Sequence, residues 1–88
     1  MTGNVNGQVV MEESGQPLEY ASIFVTQGAG PAPDIAPLTD HQGRFMLDGL
    51  PEGVWTLHAL GSAGETGEST IRVMADSRIT VIIPVRKQ

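Results

Sequence analysis

Along most of this chain, apolar and polar residues alternate with a period of two. In YASIFVT (20–26), Ala21, Ile23 and Val25 fall on one side of an extended strand, and Ser22, Phe24 and Thr26 on the other. RFMLD (44–48) sets Phe45 and Leu47 against Met46. VWTLHAL (54–60) sets Trp55, Leu57 and Ala59 against Val54, Thr56, His58 and Leu60. NVNGQVVM (4–11), TIRVMA (70–75) and RITVIIPV (78–85) add three strands rich in β-branched residues, and Leu38–Thr39 a short one. Between them lie turn signals: EESGQP, DHQG (type I, Asp40 first and Gly43 last), GLPEG (49–53) and the pair Asp76–Ser77. QGAGPAPDIAP (27–37) reads as an irregular loop and GSAGETGES (61–69) as a flexible polar loop. No stretch carries a capped helical period. About seven short strands at such spacings predict an all-β sandwich or barrel.

The phase of the alternation predicts the core. Val9, Ala21, Ile23, Val25, Phe45, Leu47, Leu50, Trp55, Leu57, Ile71, Val73, Ile79, Val81 and Ile83 should face inward. Phe24, Met46, Val54, Leu60, Met74 and Ile82 fall out of phase. Either they are scattered surface residues, which are common, or some form a patch that docks on a neighbouring domain or a second copy.

Composition narrows the function. Eighty-eight residues predict one domain over 1–88, with an ordinary hydrophobic share of 40%. No run reaches the roughly 18 apolar residues of a membrane helix, so no membrane insertion is expected. MTGNVNG does not resemble a signal peptide. Zero cysteines remove disulfides and thiolate metal sites. A net charge of −5, with five scattered basic residues, disfavours nucleic acid.

Asp40–His41 is the one adjacent acid–histidine pair. Neighbours on a strand point to opposite faces, and no Gly-x-Ser-x-Gly elbow supplies a nucleophile, so Asp40 is expected to shape a turn. His41 and His58 are the only imidazoles and lack metal-ligand spacing, while Asp40 and Asp48 are too few for a calcium loop. The remaining acids read as solvated, and the glycine loops precede no helix that would hold a phosphate. Catalytic, metal and cofactor residues are therefore expected to be none.

Taken in order, Gly7-Gln8-Val9, Gly15-Gln16-Pro17-Leu18, Ala21-Ser22-Ile23-Phe24-Val25, Thr39-Asp40-His41-Gln42-Gly43-Arg44-Phe45, Gly49-Leu50-Pro51-Glu52-Gly53 and Trp55-Thr56-Leu57 resemble the carboxypeptidase regulatory-like domain. That family has a transthyretin-like, or prealbumin-like, β-sandwich. The resemblance implies a seven-stranded Greek-key sandwich in which these motifs make turns and core, with Trp55 where a tyrosine is more usual. It also implies an accessory module of peptidases, outer-membrane receptors and adhesins, favouring an extracytoplasmic or cell-surface location. Related folds with chemistry fit less well. Hydroxyisourate hydrolases end in Tyr-Arg-Gly-Ser where this chain has VRKQ, and the tyrosine–histidine iron site of intradiol dioxygenases would find only Tyr20. An adhesin-type Lys–Asn bond would have to join Lys87 to Asn4 or Asn6 across neighbouring first and last strands.

The reading is a non-catalytic module with a structural, spacer or protein-interaction role. The alternative is a carbohydrate- or peptide-binding module using the 27–37 and 61–69 loops, with His58 beside them. A sugar platform needs exposed aromatic rings, and Trp55, Tyr20, Phe24 and Phe45 are mostly expected in the core.

Overall fold

A computed structural model of the chain describes residues 2–28 and 37–87. Six strands form, β1 (Thr2–Met11), β2 (Ser22–Gln27), β3 (Arg44–Pro51), β4 (Gly53–Leu60), β5 (Glu65–Val73) and β6 (Arg78–Lys87), in the hydrogen-bonded order β2-β4-β5-β6-β1-β3. Among the described residues the β5–β6 ladder is short, with the pairs Glu65↔Lys87 and Thr66↔Arg86, beside which the Ser69 hydroxyl donates to the Ile82 carbonyl at 3.4 Å. The sheet bends at this seam, and buried residues of β2-β4-β5 and of β6-β1-β3 meet in one cluster, making an all-β sandwich. Every connection except the β4–β5 turn passes from one layer to the other, as in a Greek key.

Where seven strands are expected, the described residues form six. Leu38–Thr39 makes only an isolated bridge, between Ser22 and Leu38. Its threonine is instead buried, with Oγ1 accepting from the Ala21 N–H (2.9 Å) and donating to the Leu18 carbonyl (2.6 Å). Gly49 to Pro51, expected in a turn, continue β3. The register steps from Val5↔Leu47 to Gly3↔Leu50, so β3 carries an extra residue there, and Gly49 takes φ 74° in that bulge. Only Glu52 separates β3 from β4, and the chain crosses between layers at this corner. The polar loop expected over 61–69 shrinks to a turn at 61–64, because β5 begins at Glu65.

The core follows the predicted phase. Val9, Ala21, Ile23, Phe45, Leu47, Leu50, Trp55, Leu57, Ile71, Val73 and Ile83 are buried, joined by Val5, Ala59 and Val85. Val25, Ile79 and Val81 are half-buried against them. Trp55 is fully enclosed and its Nε1–H donates to the Pro51 carbonyl at 2.7 Å, so the polar edge of the ring is satisfied inside the fold. Gly28 lies so close to the Trp55 ring that a Cβ would overlap it, and Gly7 is overlaid in the same way by its cross-strand partner Phe45.

Candidate functional site

The acid–histidine pair builds a bend. Asp40 Oδ1 accepts hydrogen bonds from the Gln42 and Arg44 amides, both at 2.9 Å, and the Asp40 carbonyl accepts from the Gly43 amide. Gly43 completes the turn at φ 73°, where a Cβ would crowd the Val9 carbonyl. Donation by the Arg44 amide, then by that of Gln42, holds the Asp40 carboxyl below its ordinary range. His41 takes no part in this: its exposed ring turns to Glu19, with Nδ1 3.1 Å from Oε2. The two adjacent side chains face different partners.

The other chemical candidates are dispersed as well. His58 lies on the outer face of β4, in one cross-strand row with Phe24 and Glu68, its Nδ1 3.8 Å from Glu68 Oε2. Among the described residues, no three His, Cys, Asp or Glu side chains come together as a metal site. Glu65 is the one buried carboxylate among them, and its Oε1 accepts from the Ala63 amide at 2.9 Å, closing the β4–β5 turn. Strands β1 and β6 are neighbours, as a Lys–Asn bond would require, but their register separates the groups. Asn4 lies opposite Arg78 and Asn6 opposite Thr80, whereas Lys87 is paired with Glu65. At about 3.3 Å per residue, Lys87 is more than about 20 Å along β6 from either asparagine's position.

What the fold does gather is a depression of mixed polar and apolar lining on the outer face of β6-β1-β3. Its volume is about 650 Å³, and its walls include Leu38, Met46 and Ile82 around Asn6, Gln8, Thr80, Asp40 and Arg44. Leu38, Met46 and Ile82 are each more than half exposed. The register explains the grouping, since Asn6 is flanked by Met46 and Thr80, and Gln8 by Arg44 and Ile82. Met46 and Ile82 were legible in the sequence as out-of-phase residues. Leu38 was missed, because it reads as part of a strand. Phe24, Val54 and Leu60 sit instead on β2 and β4 of the opposite layer, so the out-of-phase set is split between two faces.

The loops proposed for ligand binding fare unevenly. Residues 29–36 lie outside the described residues, and most of 61–69 is strand. The aromatic rings also divide differently from expectation: Trp55 and Phe45 are buried, but Tyr20 and Phe24 are exposed.

The motif residues quoted from the sequence thus occupy the turns and core of a two-layer sandwich, and the family model of the carboxypeptidase regulatory-like domain matches residues 4–86. The chain belongs to this family. No curated protein matches it in sequence. In fold, this regulatory-like domain is similar to part of the major pilin subunit of Bacillus cereus, with a TM-score of 0.71 and 10% identity over 99% of this chain and 30% of that one. It is also similar to a DUF3823 family protein from Parabacteroides merdae, with a TM-score of 0.65 and 17% identity over 94% of this chain and 45% of that one. The domain therefore spans less than half the length of either structure, and at these identities the likeness is one of fold. Among the described residues no helix is long and apolar enough to cross a membrane.

Proposed function

We propose that the chain is a non-catalytic accessory module, one domain over 1–88, with a structural, spacer or protein-interaction role in a larger or exported protein. The observation that carries this reading is how the polar motif residues are used. Thr39, Asp40, Gly43 and the Trp55 indole each direct their hydrogen-bonding groups into the turns and corners of the sandwich. A residue spent in this way is not aimed at a substrate. An extracytoplasmic setting is supported by the family and by the pilin subunit among the proteins of like fold. The interaction half of the reading is supported by Leu38, Met46 and Ile82 sharing one exposed depression.

Nuclear magnetic resonance titration of the intact chain with oligosaccharides and short peptides tests the reading. A non-catalytic module should show no saturable shift in the 27–37 and 61–69 segments and no turnover of the added compound. Saturable shifts confined to those segments would replace it with the ligand-binding alternative.

A further inference from the structure

We propose that this module is a load-bearing link, built to resist tension between its two ends. The proposal deepens the spacer reading and rests on it. Strands β1 and β6 are the first and last of the fold, and they pair in parallel through eight consecutive positions, from Asn4↔Arg78 to Met11↔Val85. Both run from the same pole of the sandwich to the other. The chain therefore enters β1 at one pole, at Thr2, and leaves β6 at the opposite pole, at Lys87. Tension between the ends draws β1 and β6 along each other in opposite directions. Every bond of the ladder is then loaded in shear at once, whereas a ladder opened from one end loses its bonds singly.

The bonding phase suits that load. The Asn4 amide donates to the Ser77 carbonyl at 2.9 Å and the Glu12 amide to the Val85 carbonyl at 2.8 Å, so even-numbered residues of β1 face β6. The Val9 amide, odd-numbered, donates to Gly43 on the other side, toward β3. β1 is thus held from both flanks. On β6 the odd-numbered amides face β1, which turns the nitrogen of Pro84 away from the ladder. Proline would break a central ladder if its missing N–H faced the partner, and here it does not. On the inner face, Val5, Val9, Ile83 and Val85 are essentially inaccessible to water, which keeps solvent from competing for the strained bonds. The β5–β6 seam, with two ladder pairs and the Ser69–Ile82 hydrogen bond, adds less to the path between the ends than the eight-position β1–β6 ladder.

Single-molecule pulling tests the proposal on the full chain. The absence of native cysteine allows unique thiol handles. In one geometry the handles are at the two chain ends. In the other, the N-terminal handle moves to Glu13→Cys, at the far end of β1, so that β1 and β6 are drawn apart from the same pole. At equal pulling speed the end-to-end geometry should need at least about twofold more force, because many hydrogen bonds must fail together. Thermal melting of the two chains should coincide, and a handle at Gln16→Cys should repeat the low-force result. Equal forces in the two geometries, or a weaker end-to-end chain, would overturn the load-bearing role while leaving an unloaded spacer standing. Ligand shifts in the titration above would overturn the spacer reading whatever the forces.

Discussion

The inner and outer faces of β3 and β4 hold residues of similar size with opposite fates. Phe45, Leu47, Leu50, Trp55 and Leu57 are buried, whereas Met46, between two of them, is 60% exposed and Val54, beside the tryptophan, 46%. The difference is one of phase along a pleated strand, so chemical type alone does not decide which apolar residue holds the fold together. Inner residues are fixed by packing on every side. Outer residues cost the isolated fold little and remain free for contact with something else. Substitutions on the two faces should therefore differ greatly in effect, and the largest effects lie inside.

Trp55→Ala empties the largest enclosed site and should destabilise the chain by about 3–5 kcal/mol, read from chemical denaturation. Burial of the ring with its Nε1–H bonded to Pro51 supports the upper part of that range. Gly7→Ala, also on the inner face, drives a methyl into the Phe45 ring and should cost about 1–3 kcal/mol. Adding Phe45→Leu to that variant should recover part of the loss, because the obstruction is that ring. A double variant no better than the sum of its parts would place the strain elsewhere.

Asp40 stands at the border between the faces, exposed yet engaged with two amides. Its carboxyl is held below the ordinary range in the folded chain, so its charge favours folding above that range. The contribution is lost as pH falls through the lowered folded value. Asp40→Asn should therefore melt below the parent at neutral pH, with the gap closing in strong acid, while His41→Ala should follow the parent throughout. A gap that persists in acid would assign the effect to geometry and not charge. The smallest effects belong to the outer depression: Met46→Ser and Ile82→Ser should each change stability by no more than about 0.5 kcal/mol. A larger loss would mean that this face is part of the core and not available to a partner.

The same contrast explains what was legible in the sequence. Alternation in YASIFVT, RFMLD and VWTLHAL set the phase of β2, β3 and β4, and the buried residues there follow it. The turn at Asp40–Gly43 was legible because its residue types are tied to its geometry. The start of β5 was not. Its inward positions are Glu65, Gly67 and Ser69, which carry no apolar signal. Glu65 is accepted there because it holds the Ala63 amide, and Gly67 because the Pro84 carbonyl approaches too closely for a Cβ. Gly49 and Pro51 suggested a turn, but the bulge at Gly49 and the edge position of β3 accommodate both within a strand. The convergence of Leu38 with Met46 and Ile82, and the parallel pairing of the first and last strands, depend on tertiary arrangement. No local pattern announces them.

Within the run from Leu38 to Leu57, Thr39, Asp40, Gly43, Phe45, Leu47, Leu50, Trp55 and Leu57 build the turns and core of the sandwich, and Trp55 is fully enclosed among them. Trp55 is the sole tryptophan, so the emission of the native chain reports on that residue alone. Acrylamide quenching of the folded chain tests this placement of the ring. Blue-shifted emission, with quenching far weaker than in the denatured chain, is expected because the ring is fully enclosed. Red-shifted emission, quenched as readily in the folded chain as in denaturant, would contradict it and return the tryptophan to the surface as a candidate binding platform.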